Sequence, residues 1–249
     1  MKPTKFQIWI TIGLFSVLLP ACSPKVLHLA KYSTENINVS DVYTKEDSTA
    51  LALISPYKKK VDEQMNEVIG YTDHELTKAL PSSSLTNWFS DAIFEAAVHL
   101  NRGELDFVVQ NYGGIRLNSV AKGNITIGKI YELMPFDNQF VVLTLSGKDV
   151  AKLFDYVSAK GGWPVSKEVK CTIVGGKVQE VLIKGKPLDS SGSYRVGISD
   201  YLANGGDELG FLSILPREES GILIRDLILD HVKRNPEVKV DLVQRILFK

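Results

Sequence analysis

The feature that most constrains this chain is the stretch from Phe107 to Arg116, Phe-Val-Val-Gln-Asn-Tyr-Gly-Gly-Ile-Arg. Phe107-Val108-Val109 is a short aromatic and β-branched run, the pattern of a buried strand. The strand ends at Asn111, and Gly113-Gly114 then frees the backbone to turn sharply or to approach a ligand closely. Arg116 follows at once, a permanently charged fork suited to carboxylate or phosphate oxygens. These residues alone admit two readings: an anion site at a strand tip, or a tight turn with a solvated Arg.

The rest of the chain must cover that strand. Between Ser48 and Glu67, apolar residues recur at three- and four-residue intervals, which predicts a helix with a kink or restart at Pro56. Val68 to Tyr71 reads as a strand. Pro81-Ser82-Ser83-Ser84 starts a second helix, Leu85 to Leu100, whose apolar stripe includes Trp88, Phe89 and Ile93; Asn101-Arg102-Gly103 stops it. Ile125 to Gly128 continues into a short helix from Lys129 to Leu133. Phe140 to Leu145 is a strong strand, and Ser146 opens a helix that runs to Gly161-Gly162. Val169 to Val196 reads as two or three strands joined by Gly175-Gly176 and Gly185-Lys186 turns. Tyr194 to Ser199 is a further strand, Tyr201 to Asp207 a Gly-rich loop, Ile222 to Val232 an amphipathic helix, and Val238 to Leu247 the closing segment. Strands and helices interleave without strict alternation. The expected fold is a single mixed α/β (α+β) domain, a mixed sheet with flanking helices.

Composition narrows the function by exclusion. The net charge is zero, which argues against nucleic-acid binding, since that needs a basic face. No Walker-type loop, dinucleotide Gly motif or Gly-x-Ser-x-Gly elbow occurs. The four histidines, His28, His74, His99 and His231, are scattered. Asp73-His74 and Asp230-His231 are adjacent, so their side chains point to different faces; each reads as a surface pair, and no metal site is expected.

The first residues carry an address. Lys2 and Lys5 precede an apolar run from Ile8 to Leu19, too short to span a bilayer and the right length for a signal-peptide core. Leu19-Pro20-Ala21-Cys22-Ser23 resembles a bacterial lipoprotein cleavage site; the alternative is an ordinary secretory signal cleaved nearby. The expectation is a signal peptide over 1–22, lipidation at Cys22, a tether over 23–45 and a domain over 46–249. Acyl chains on Cys22 would hold the chain in the bacterial cell envelope, periplasmic or outer-membrane associated. Cys171 is then the one remaining thiol. It sits at an alternate position of a strand, reads as a buried structural cysteine, and has no disulfide partner.

What remains is a binding constellation on three loops. Asn111 and Arg116 offer amide and guanidinium hydrogen bonds. Phe136 projects from the Pro135-Phe136-Asp137-Asn138 turn, and Tyr201 leads into Asn204-Gly205-Gly206-Asp207. Exposed aromatics on turns suit stacking on a flat ligand. The competing reading of Phe136 and Tyr201 is core or loop anchors.

Four ordered motifs carry a resemblance: Asn111-Tyr112-Gly113-Gly114-Ile115-Arg116, Gly123-Asn124-Ile125-Thr126, Met134-Pro135-Phe136-Asp137-Asn138, and Tyr201-Leu202-Ala203-Asn204-Gly205-Gly206-Asp207. Together they resemble the C-terminal, substrate-binding domain of the bacterial and animal 5'-nucleotidases, from about residue 48 onward. The resemblance implies that Phe136 and Tyr201 sandwich a nucleobase, and that Asp207 binds the ribose hydroxyls. It implies that Asn111 and Arg116 contact sugar or phosphate oxygens, with Gly113, Gly114, Asn138, Asn204, Gly205 and Gly206 completing the substrate-binding set.

The chain departs from the family at three points. Tyr112 stands where the family usually has Gly. The family's Arg before Asn87 is missing from Pro81-Ser82-Ser83-Ser84-Leu85-Thr86-Asn87. The Asp-x-His and Gly-Asn-His-Glu motifs of the family's metallophosphoesterase domain are also missing. Hydrolysis needs the metals those motifs hold, so no cofactor and no catalytic residue are expected in this chain. The implied function is a nucleoside- or nucleotide-binding lipoprotein working with a separate metallophosphoesterase, in which a divalent metal pair resides. The alternative is a non-catalytic envelope lipoprotein that takes another flat ligand or a protein partner.

Overall fold

The computed structural model describes residues 31–36, 47–100 and 104–249. The expected leader, the lipidation position Cys22, most of the tether and the Asn101-Arg102-Gly103 helix stop lie outside the described residues. Met1–Leu51 form one unit and Ala52–Lys249 another. In the first, residues 31–36 are exposed and have no regular structure. Helix α1 spans Ser48–Met65. Asp47 Oδ1 accepts from the Thr49 and Ala50 amides at 2.9 and 3.1 Å, satisfying donors that the first turn leaves open.

The helix does not restart at Pro56, and no residue in it is buried. Leu53, Ile54 and Val61, three of the residues that carry the helical periodicity, are exposed.

After α1 the second unit holds β1 (Val68–Thr72), β2 (Leu76–Thr77), α2 (Ser84–His99), β3 (Phe107–Val108), β4 (Ser119–Val120), β5 (Gly123–Thr126) and α3 (Ile127–Leu133). It continues with β6 (Gln139–Ser146), α4 (Gly147–Ala159), β7 (Val169–Val174), β8 (Lys177–Ile183), β9 (Lys186–Pro187) and β10 (Ser193–Ser199). Last come α5 (Asp200–Ala203), β11 (Arg217–Leu223), α6 (Ile224–Arg234), β12 (Glu237–Val238) and β13 (Ile246–Phe248). The class is mixed α/β, as expected, but the strands divide among four small sheets, in the orders β12-β1-β5, β11-β6-β10-β3, β13-β7-β8-β9 and β2-β4.

The sheet β11-β6-β10-β3 organises the unit. Within it β6 runs antiparallel to β10 and β11, and β10 runs parallel to β3. Strand β6 is apolar almost throughout because both of its faces are covered. Successive side chains point to opposite faces, and here they divide two cores. Phe140, Val142 and Val108 join the cluster built on α2 and α6, with Phe89, Ile93, Leu227 and Ile228. Val141, Leu143, Leu145, Phe107 and Val109 join the cluster built on α4 and the β7–β8 hairpin, with Leu153, Phe154, Cys171 and Ile173.

Two of the flanking helices, α2 and α4, carry side-chain start signals. Thr86 Oγ1 accepts from the Ser83 amide at 2.9 Å ahead of α2. Ser146 and Asp149 form a reciprocal box at α4, with Asp149 N donating to Ser146 Oγ and Ser146 N to Asp149 Oδ2, both at 3.2 Å.

Cys171 agrees with its sequence reading, whereas the Asp230-His231 pair departs from it. Cys171 is fully buried, and that burial, with a smaller contribution from Asp155, pushes its thiol up to about 12. It is therefore an inert core residue. Asp230-His231 is not a surface pair: His231 is buried on α6, with Nδ1 3.7 Å from Glu95 Oε2, while Asp230 binds Arg234 one turn on. Asn87 has a structural role, donating to the Asp241 and Val243 carbonyls at 3.1 and 3.0 Å.

Buried Arg245 ties the C-terminal segment to α2. It reaches Asp91 and Asp241 at 2.6 Å each and the Val165 carbonyl at 2.7 Å. Burial opposes its charge, and the two carboxylates outweigh that, so its pKa is raised.

Candidate functional site

The tips of three segments meet at one end of the central sheet. The chain leaving β3 forms a 3-10 turn at Tyr112–Gly114, the α3–β6 turn carries Phe136 and Asn138, and α5 follows β10 with Tyr201. They enclose a cavity of about 390 Å³ lined by Asn111, Gly113, Gly114, Phe136, Asn138, Tyr201 and Asp207. All seven belong to the set expected from sequence. Volume and lining suit a small flat ligand, apolar on its faces and polar at one edge.

Phe136 and Tyr201 are partly exposed, at 36% and 43%, whereas the aromatics of the two cores are buried. A ring left open beside a cavity is free to stack. Arg116 does not line the cavity. Its guanidinium lies 5.6 Å from the Phe136 ring centroid.

The polar edge is a hydrogen-bond chain. Asn111 Nδ2 donates to Asp207 Oδ2 at 2.7 Å, and Tyr201 Oη donates to Asp207 Oδ1 at 3.0 Å. The hydrogen bond to the Asp207 carboxylate raises the Tyr201 phenol pKa, because that carboxylate favours the protonated phenol.

The Tyr201–Asp207 segment is not simply a loop. It opens as α5 and closes as a 3-10 turn over Gly206–Glu208. Two glycines make this possible. Gly205 has φ +94°, and a Cβ on Gly206 would sit 2.5 Å from the Tyr201 ring. Asp207 itself has φ +50°, a left-handed conformation that Asp tolerates better than most residues. Asn204 Oδ1 accepts from Arg217 Nη1 at 2.5 Å. Of the expected set, Arg116, Asn204, Gly205 and Gly206 are not among the lining residues.

Tyr112, one of the departures noted above, does not enter the cavity. Lys78 Nζ lies 3.9 Å over its ring and donates to the Ile115 carbonyl at 2.6 Å. Burial, with a further contribution from the Arg116 charge, lowers the Lys78 pKa.

Sequence reasoning missed two residues beneath the Phe136 turn. Buried Arg225, on α6, donates to the Met134 and Phe136 carbonyls at 3.3 Å each and to Asp137 Oδ1 at 2.8 Å. Its guanidinium also stacks on Tyr131 at 4.3 Å. Asp200 Oδ1 accepts from the Gln139 and Tyr201 amides at 3.0 and 2.8 Å. No local signal marks their role, because Asp200 meets Gln139 61 positions away and Arg225 meets the Phe136 turn 88 to 91 positions away. Among the described residues, no group of three or more His, Cys, Asp or Glu could hold a metal ion.

The fold is that of a 5'-nucleotidase C-terminal domain. The family described as 5'-nucleotidase, C-terminal domain, matches residues 68–214, more than half of the chain, and the chain belongs to that family. It is 28% identical over 204 residues to the 5'-nucleotidase of Vibrio vulnificus (strain CMCP6), covering 79% of this chain and 36% of that protein. To protein UshA of Escherichia coli (strain K12) it is 29% identical over 169 residues, covering 65% of this chain and 30% of that one. Among solved structures, the 5'-nucleotidase precursor from Thermus thermophilus superposes with a TM-score of 0.69 at 28% identity, over 82% of this chain and 43% of that one. The chain thus spans about a third of the length of these two curated relatives.

Proposed function

We propose that this chain is the nucleoside- or nucleotide-binding module of a 5'-nucleotidase system. One observation carries the proposal: Phe136 and Tyr201, both partly exposed, line the same cavity as the hydrogen-bonded pair Asn111 and Asp207. Rings on the cavity wall take the faces of a base by stacking. A carboxylate at the edge accepts from two sugar hydroxyls, a role only an acceptor-rich group can fill. Arg116, 5.6 Å from the Phe136 ring centroid, is the cation proposed to meet a phosphate. The described residues offer no donor set for a metal pair. Phosphoester hydrolysis, which uses one, is assigned here to a separate metallophosphoesterase that receives the bound substrate. The same proposal places the chain in the bacterial cell envelope, lipid-anchored through Cys22, with its signal peptide removed.

Calorimetric titration of the purified chain with adenosine and AMP tests the binding role. Saturable one-to-one binding of either ligand is expected. A chain that binds neither, while taking up another flat molecule or an envelope protein, would transfer the cavity to the alternative function.

A further inference from the structure

The two rings that face the cavity come from segments whose backbone pairing stops just short of them. Strands β6 and β10 pair in register from Ser146↔Ser193 to Phe140↔Ser199, and that is the last pair. The next residue of β6, Gln139, is aligned with Leu223 of β11 and has no partner in β10. Beyond this point the chain on one side leads back to Asn138 and Phe136, and on the other forward to Tyr201. A ladder that ends here leaves the Gln139 amide without a backbone acceptor from β10.

Asp200 supplies the acceptor. Its Oδ1 takes the Gln139 amide at 3.0 Å and the Tyr201 amide at 2.8 Å. One carboxylate oxygen therefore fastens the Phe136 turn to the first turn of α5. The opposite side of the Phe136 turn is already fixed, through Ile224 N donating to the Asn138 carbonyl at 2.9 Å and through Arg225. Tyr201 is held again at its far end by the Asp207 carboxylate. Asp200 is thus the side-chain link between the two ring-bearing segments, one residue past the end of the ladder.

We infer that Asp200 is a positioning residue that sets the gap between Phe136 and Tyr201, and so the affinity of the cavity for flat bases. The inference rests on the binding role proposed above. Asp200 lies outside the cavity lining and acts through the two backbones it joins. A clamp whose rings are already spaced for a base binds without the cost of ordering them.

The experiment is a double-mutant cycle read by adenosine titration of the full chain, with melting temperature followed in parallel. Asp200→Ala is expected to weaken adenosine about tenfold, the scale of one lost hydrogen-bonding partner. Asp200→Asn, which keeps an acceptor oxygen, should stay within about threefold of wild type. With Phe136→Ala already in place the gap no longer matters, so adding Asp200→Ala should cost little more; that non-additivity separates positioning from general stabilisation. Additive losses, or loss in Asp200→Asn equal to that in Asp200→Ala, would overturn the inference. If Asp200→Ala does not fold, Asp200→Ser, too short to span to Gln139, takes its place in the same cycle. Wild-type chain that binds neither adenosine nor AMP removes the binding role itself. Wild-type chain that binds, beside an Asp200→Ala variant that binds equally well, removes only the role of Asp200.

Discussion

Tyr201 Oη donates to Asp207 Oδ1 at 3.0 Å, joining an aromatic wall of the cavity to its acidic edge. The ring cannot swing outward without breaking this bond, and Gly206 leaves no side chain to push it inward. The aromatic wall and the acidic edge of the cavity are therefore mechanically coupled.

That coupling has a spectroscopic signature. The Tyr201 phenol titrates above its ordinary value because of the Asp207 carboxylate. Asp207→Asn removes the charge and should bring the phenol back down towards about 10. The difference in phenolate absorbance between wild type and variant, followed through an alkaline titration, measures this. Identical curves would mean that the hydroxyl and carboxylate are not in contact in solution.

The rings should matter for binding and little for folding. Stacking on an aromatic is worth about 1–3 kcal/mol by alanine substitution, so Phe136→Ala or Tyr201→Ala should each weaken adenosine roughly ten- to hundredfold. Both rings are partly exposed, and the melting temperature should hardly move. A large drop in melting temperature with unchanged affinity would make them packing residues.

Asp207→Asn also tests the sugar. Ribonucleosides should lose more affinity than their 2',3'-dideoxy counterparts, because the carboxylate accepts from both hydroxyls. Equal losses for the two ligands remove Asp207 from that role.

A pH prediction follows from His231. Burial holds its pKa below 6.5, although the Glu95 charge works in the opposite direction. The unfolded chain then binds a proton at higher pH than the folded one. This contribution to stability is fully present above about 6.5 and is lost as pH falls through the lower folded value. Denaturant melts taken at intervals below neutrality should show the loss, and His231→Gln should flatten that part of the profile. An unchanged profile in His231→Gln assigns the acid sensitivity to the carboxylates.

The architecture was legible where local pattern and tertiary demand agree. The α2 stripe of Leu85, Trp88, Phe89, Ala92 and Ile93 is buried as its periodicity requires. The β6 run is buried on both faces. The Gly-rich and Pro-Phe motifs were legible too, and seven of their residues line one cavity. Strand β11 was not, because Arg217-Glu218-Glu219-Ser220 has no apolar alternation. It is a sheet-edge strand held by backbone bonds to β6 and by surface pairs such as Arg195 with Glu218 at 2.5 Å. Arg225 and Asp200 were hidden for another reason. A buried Arg on an amphipathic helix and an Asp at a helix start look like ordinary solvated residues until the carbonyls and amides they meet are known.

The central claim is that a base lies between Phe136 and Tyr201 with its sugar at Asp207. The most direct measurement is a crystal structure of the chain with adenosine. The account predicts the purine stacked between the two rings and both ribose hydroxyls within hydrogen-bond reach of the Asp207 carboxylate. Adenosine bound elsewhere, for example in the cleft lined by Trp88, Glu95 and His231, with the Phe136–Tyr201 cavity empty, would contradict it.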